Sequence, residues 1–225
     1  MSRTGSRDAR SSRSPEVAAE IESRLAAGLS ELGIALAPAQ VEALLTLVTE
    51  LEDWNTRFNL TAIRDPAEVV DKHLLDSLAV LPYLKGLTVA DVGSGAGFPG
   101  LPLAIADLDR RYTLIESTGK KVTFLRHACT MLRLPNVEVV QGRAEDLRPR
   151  KPFDTVLARA LGSLAEFVRV AGHLAGRGGR LLAMKGKVPE AELTALPAGW
   201  KVLAVHPVAV PGLAAERCLV ELAKV

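Results

Sequence analysis

With 225 residues, 48% of them apolar, the chain is long enough for one large α/β domain, or one domain with a small extension. No apolar run approaches the length of a membrane span and the N-terminus carries no signal-type hydrophobic stretch, so a soluble, cytoplasmic protein is expected. Twenty-eight Lys and Arg against 26 Asp and Glu leave a net charge of +2, which neither announces nor excludes nucleic acid; an RNA site must come from local clustering of cations.

Residues 1–14 are polar and rich in Arg and Ser, too poor in apolar surface to offset the entropy of ordering, and are expected to form a disordered tail. Ser14–Pro15 is a helix start, with Val17, Ile21, Leu25, Leu29 and Leu32 along one face and Gly33 as the stop. A second helix begins near Pro38 and buries Val41, Leu44, Leu45, Val48, Leu51 and Trp54; a third begins after Pro66 and buries Val70, Leu74, Leu78 and Leu81. Residues 15–85 thus read as a helical cap without a sheet of its own. The segment 54–65, WNTRFNLTAIRD, is expected to link the second and third helices, with Asn59 and Thr61 as turn and cap residues. In KHLLDSL, the side chains of His73, Asp76 and Ser77 fall near the edge of the apolar face. Three residues along one helix do not surround a scissile carbonyl, so packing and support of a neighbouring site are expected of them rather than hydrolysis.

The stretch Leu87–Gly100, LTVADVGSGAGFPG, reads as a buried strand emptying into a glycine turn and then a helix, the start of a nucleotide-binding unit. Gly95, Gly97 and Gly100 match G-x-G-x-x-G formally, but Pro99 falls inside the match and removes an N–H that a pyrophosphate would need. The fuller pattern, Asp91 followed by Gly93, Gly95 and Gly97, suits S-adenosylmethionine, whose ammonium an acid at the strand end can meet. Residues 86–225 then alternate strand and helix. RYTLIES (111–117) is the second strand, and Glu116 at its end is placed to accept both hydroxyls of a ribose, as in either an adenosyl donor or NAD.

The next helix, 119–134, carries Lys120, Lys121, Arg126 and Arg133 outside and Val122, Leu125, Cys129 and Leu132 inside; lysines in its first turn oppose the helix dipole and favour an anionic partner. VEVVQ (137–141) is the third strand. In this fold the loop after it passes the adenine, which puts Ala144 and Glu145 at the base and Arg143 toward the substrate. FDTVLA (153–158) is the fourth strand, followed by Arg159, Ala160 and Leu161 rather than the Asn/Asp-Pro-Pro-aromatic corner of amine methylation. Neither cysteine lies where a pyrimidine-attacking nucleophile belongs; both Cys129 and Cys218 read as buried reduced thiols without metal spacing. A guanine N7, already nucleophilic and losing no proton, fits a site without a general base. GRLLAMKGK (179–187) is the fifth strand, and WKVLAVHPV and ERCLVELA form a closing antiparallel pair joined across Pro211–Gly212. Cations at 120, 121, 143, 159, 185 and 187 then meet on one rim, able to hold RNA phosphates.

Taken together, WNTRFNLTAIRD, KHLLDSL, DVGSGAGFPGLPLAI, the GRAED loop, ARA and the MKG ending resemble the ribosomal RNA small subunit methyltransferase G family, also called glucose-inhibited division protein B, over residues 38–223. The resemblance implies a class I S-adenosylmethionine-dependent methyltransferase: a Rossmann-like seven-stranded sheet with its last strand antiparallel, and a helical N-terminal cap. It implies N7 methylation of one guanine in the 530 loop of 16S rRNA. By position it also implies that Gly93, Phe98, Ala144, Glu145 and Arg159 contact the methyl donor, with Glu116 on the ribose, and that Lys120, Arg143, Arg159 and Lys185 face RNA; the glycine motif adds Asp91 and Gly95 to the donor site, and no metal is expected. The expected partner is 16S rRNA, the small subunit or an assembly intermediate, met by a monomer; a NAD-type oxidoreductase and a non-catalytic assembly factor are the competing readings.

Overall fold

The computed structural model describes residues 13–225, so the expected tail lies outside the described residues as far as position 12. Ser14 accepts the N–H of Val17 through its side chain and Pro15 presets the first turn of α1 (Pro15–Glu31). Ile21, Leu25 and Leu29 are buried as the periodicity predicts, whereas Val17 is exposed and Leu32 is half-buried. α2 (Pro38–Phe58) runs five residues into the segment expected to be a connection and closes on Asn59, whose φ of 47° is left-handed. The link to the next helix is therefore only residues 59–65. On α2, Leu44, Leu47, Val48 and Leu51 are buried; Val41, Leu45 and Trp54 are half-buried, and Asn55 is a buried polar residue in the same stripe.

The third helix is not a regular one. α3 (Pro66–Val69) gives way to a π turn over Val70–Leu75 and then to α4 (Asp76–Leu78), with a 3₁₀ turn at Leu81–Tyr83. A π turn inserts an extra residue per turn and so rotates the next turn of helix about its axis, a device frequent at functional sites.

β1 (Thr88–Val92) leads through the glycine turn into α5 (Gly100–Ala106), followed by β2 (Arg111–Glu116), α6 (Gly119–Met131) and β3 (Val137–Gln141). β4 (Phe153–Arg159), α7 (Leu164–Ala171), β5 (Ala175–Lys185), α8 (Glu190–Leu193), β6 (Trp200–Pro207) and β7 (Cys218–Lys224) complete the chain. The seven strands lie in the order β3-β2-β1-β4-β5-β7-β6, parallel from β3 to β5, with β7 antiparallel to both of its neighbours. β5 starts four residues before its expected beginning and carries a register shift opposite Phe153–Thr155.

Alternation within the strands sorts the core onto two faces. Ala90, Val92, Val156, Ala158, Leu181 and Ala183 pack on the α7 face. Val89, Leu157 and Leu182 look to the other side, toward Leu103 and Ala104 of α5. The buried residues of α1, α2 and α3–α4 join Leu101 and Ile105 of α5 and Phe124 and Leu125 of α6 in one continuous cluster, so the cap and the sheet share a core. On α6, Cys129 and Leu132, expected inside, are half-buried, while Phe124 and Ala128 take the inner positions; Cys218 is buried and both thiols are free.

Candidate active site

The glycine turn divides its glycines between two jobs. Gly93 and Gly95 have φ of +70° and +59°; a Cβ on Gly93 would meet nothing within 4 Å, and one on Gly95 only the Gly93 carbonyl at 3.8 Å. Their backbone is bare toward open space. Gly97 and Gly100 face inward: a Cβ would sit 2.3 Å from Leu101 Cδ1 at Gly97 and 2.2 Å from Leu114 Cδ2 at Gly100. The first pair leaves room for a ligand, and the second lets α5 close on the sheet.

Two carboxylates hold this turn from below. Glu116, 6% exposed, accepts the Gly95 N–H on Oε2 at 2.9 Å and the Thr118 N–H on Oε1 at 2.7 Å, and each oxygen keeps a second lone-pair direction for a hydroxyl. Asp91, 1% exposed, accepts the Gly100 N–H on Oδ2 at 3.0 Å, and its Oδ1 is buried with no partner among the described residues. Burial pushes the Asp91 carboxyl up to about 6 against the pull of the Gly100 hydrogen bond, while the Ser94 hydroxyl is spent on the Asp91 main-chain carbonyl. An unpaired buried carboxylate oxygen under a bare turn is where a ligand's ammonium is worth most. The orphaned oxygen and the open cradle over Gly93 and Gly95 both fit the adenosyl donor expected from the sequence.

The π turn accounts for the second half of the site. It delivers the Lys72 carbonyl, His73 and Asp76 to one guanidinium: Arg159, at the end of β4, donates from Nη1 to Lys72 O at 3.0 Å and to Asp76 Oδ2 at 3.2 Å, and meets His73 Nδ1 through Nη2 at 3.2 Å. Asp76 Oδ1 accepts from Arg217 Nε at 2.9 Å. The Asp76 carboxylate is thus buried between two guanidinium groups. His73 Nδ1 lies 3.0 Å from the Lys72 carbonyl as well as beside Arg159, and Nε2 lies 3.0 Å from Thr61 Oγ1, so both ring nitrogens have partners in either tautomer. Burial, and next the Arg159 charge, pull His73 down to about 4, so the ring is neutral at pH 7. That ring stacks on Phe98 of the glycine turn at 4.5 Å between centroids, with the Arg159 guanidinium 5.7 Å from the same ring. Phe98 is 3% exposed and forms the floor that joins turn to cluster.

Thr61 caps no helix. Its hydroxyl accepts the Ile63 N–H at 3.2 Å, the turn role expected of it, and also lies against His73; its own N–H is taken by Asn55 Oδ1 at 3.0 Å, so Asn55 and Thr61 tie the end of α2 to the π turn. Ser77 donates to the His73 carbonyl, a local helix bond, and takes no part in the cluster.

A cleft of about 590 Å³ opens over this cluster, walled by Lys72, Asp76, Arg159, Leu161, Lys185 and Arg217 among others, at the carboxyl ends of β4 and β5. Open α/β sheets bind ligands at that edge. Ala160, immediately after Arg159, has φ of +59°, a strained conformation for a residue with a side chain.

The remaining expected residues have individual settings. Ala144 is buried and Glu145 half-buried in a 3₁₀ turn at the end of β3, beside Arg143, which is exposed. Lys120 donates to the Phe58 carbonyl at 2.8 Å, which places its charge at the negative end of the α2 dipole and explains a cation at the start of α6. Lys185 donates to Gly162 O at 2.7 Å and Glu192 Oε2 at 3.0 Å on the cleft wall. Strand topology alone puts all of these on one edge of the sheet. Sequence reasoning missed Arg217 and Asn55. Arg217 precedes the antiparallel β7, whose Cys218 pairs with Lys185, and that pairing, invisible in the local pattern, returns it to the same edge.

A sequence model described as rRNA small subunit methyltransferase G matches residues 40–220. The protein named Ribosomal RNA small subunit methyltransferase G from Azoarcus sp. (strain BH72) is 49% identical over 202 residues, covering 89% of this chain and 95% of that one. Its namesake from Stenotrophomonas maltophilia (strain K279a) is 50% identical over 204 residues, covering 90% and 94%. Among solved structures, a SAM dependent methyltransferase from Aquifex aeolicus aligns with a TM-score of 0.55 at 22% identity over 73% of this chain and 96% of that one. The glycopeptide N-methyltransferase MtfA complexed with (S)-adenosyl-L-homocysteine aligns with a TM-score of 0.57 at 16% identity, covering 68% and 87%. At such identities these structures speak to the fold.

Proposed function

The chain belongs to the rRNA small subunit methyltransferase G family, and from that premise we propose that it methylates N7 of one guanine in the 530 loop of 16S rRNA. The donor is S-adenosylmethionine, which supplies an electrophilic methyl on a sulfonium. The observation that carries the choice of acceptor is the state of the groups around the cleft: each one suited to take a proton is already committed. His73 is neutral, with Nδ1 held between Arg159 and the Lys72 carbonyl and Nε2 hydrogen-bonded with Thr61, so neither ring nitrogen is free. Asp76 is bound by Arg159 and Arg217, and Lys185 is paired with Glu192. An exocyclic amine must shed a proton on methylation, whereas N7 attacks with an in-plane lone pair and sheds none, so positioning and charge suffice.

In this reading the chain's residues bind and orient. Asp91 meets the donor's ammonium with its orphaned oxygen, Glu116 takes the ribose hydroxyls, and Gly93 and Gly95 keep side chains out of the way. Phe98 fixes the height of the turn under His73 and Arg159, while Ala144 and Glu145 border the adenine. Arg159 and Arg217 turn their remaining N–H groups to the cleft, where they face the guanine or its phosphates; Lys120, Arg143 and Lys185 extend the cationic rim toward RNA. The chain acts as a monomer on the small subunit or its precursor, in the cytoplasm.

Two measurements test this reading. Calorimetry should show S-adenosylhomocysteine binding with no NAD binding, and label from methyl-labelled S-adenosylmethionine should enter small-subunit but not large-subunit rRNA. NAD binding, or label in large-subunit RNA alone, overturns it.

A further inference from the structure

Among the described residues, Phe58 is the one aromatic side chain of the large hydrophobics that stand exposed, 39% open at the C-terminal end of α2. Its ring is not loose. It rests on Trp54 at 5.3 Å between centroids, and Trp54 is in turn held by the edge of Phe124 at 5.6 Å and by His127 at 5.0 Å. Two cations clasp the backbone and side chain of the adjoining pair: Lys120 donates to the Phe58 carbonyl, and Arg64 Nη2 donates to Asn59 Oδ1 at 2.8 Å. Both cations are exposed, and each keeps N–H donors beyond the one so used.

A rigid exposed ring flanked by exposed cations has the chemistry of a stacking platform for an unpaired nucleobase, with the cations on the adjoining phosphates. Its place agrees. Thr61, bonded to His73 in the cleft, lies three residues on, so its Cα is within about 11 Å of that of Phe58 at full chain extension. We propose that Phe58, backed by Trp54 and flanked by Arg64 and Lys120, stacks an unpaired base of the substrate RNA close in sequence to the methylated one, holding the loop open. This rests on the reading of the chain as an rRNA methyltransferase. Stacking is indifferent to base identity, so the platform holds the loop's shape while the cleft selects the base.

The test measures RNA affinity and methyl transfer in parallel on the full chain, with a hairpin RNA carrying the 530 loop and 2-aminopurine placed in turn at each position flanking the target guanine. Wild type should quench the fluorescence at one position. Phe58→Ala and Phe58→Leu should both abolish the quench and weaken RNA binding about tenfold, within the range of one lost aromatic–base stack. Phe58→Trp should retain both, and S-adenosylhomocysteine affinity should be unchanged throughout. Leu keeps the apolar bulk on Trp54, so its loss separates stacking from packing. Unchanged RNA affinity in Phe58→Ala, or retention in Phe58→Leu, overturns the platform while methylation by wild type leaves the methyltransferase reading intact. Binding that depends on Phe58 without methyl transfer supports the platform and removes that reading; absence of RNA binding by wild type removes both.

Discussion

Replacing Asp76 with Asn keeps the side chain's shape and removes the charge that two guanidiniums share. The carboxylate is 4% exposed and receives one hydrogen bond from Arg159 and one from Arg217, whose side chains are 23% and 27% exposed. An Asn presents one acceptor oxygen and an NH₂ that repels the second guanidinium, so one charge-assisted bond worth about 1.5–3 kcal/mol is lost outright. The freed guanidinium recovers some water at the cleft, which leaves a net destabilisation of about 2 kcal/mol. For a chain of this size that lowers the melting temperature by about 4–8 °C. The functional loss should exceed the stability loss, because Arg159 then swings away from Phe98 and the cleft: kcat/KM for RNA should fall at least about tenfold at a temperature where the variant is fully folded. Thermal melts and single-turnover methylation read the two effects separately. A melting temperature within about 1 °C of wild type would refute the claim that this carboxylate is the anchor of the cluster.

The glycines offer a contrast. Gly97→Ala drives a Cβ to 2.3 Å from Leu101 at a φ of +93° and should destabilise by about 2–4 kcal/mol, read by denaturant unfolding. Gly93→Asp meets open space, so it should fold with a penalty of about 1–2 kcal/mol yet abolish S-adenosylhomocysteine binding. Asp91 is raised to about 6, so the native state holds a proton that the unfolded chain releases near 3.8, and its ionisation works against folding as pH rises between those values. Asp91→Asn should therefore gain about 3 kcal/mol relative to wild type between pH 3.5 and 7 in urea titrations, while losing donor affinity. His73 runs the other way: with a native value of about 4 against 6.5 unfolded, its contribution is complete above pH 6.5 and is lost as pH falls toward 4, a slope that His73→Gln should remove. Lys185→Ala should weaken RNA use and leave donor affinity unchanged, since its amine reaches the Gly162 carbonyl and Glu192 rather than the glycine turn.

What could be read from the chain was set by how local its cause is. The run from Thr88 to Gly100 announces a strand, a turn and a helix because alternation, glycine and proline each act within a few residues, and the structure reproduces that order. Pro99 indeed precedes the helix, and the amide after it is taken by Asp91 rather than left for a phosphate. The π turn at Val70–Leu75 was hidden because KHLLDSL satisfies a 3.6-residue period equally well; only packing against Arg159 rewards the extra residue. Arg217 was hidden because its place depends on antiparallel register against Lys185, a pairing across the sheet. Thr61 makes the local turn bond expected of it, accepting the Ile63 N–H, while its second partner, His73, lies twelve positions away and left no local trace.

The proposed acceptor is a ring nitrogen that needs no base. The direct measurement is methylation of small subunits from a strain lacking this gene, with labelled S-adenosylmethionine, followed by borohydride reduction and aniline cleavage, which cuts RNA at N7-methylguanine. A single new cut at one guanine of the 530 loop, carrying all of the label, is the expected result. Label retained in uncut RNA, at an amine, a ribose or a base carbon, would contradict it.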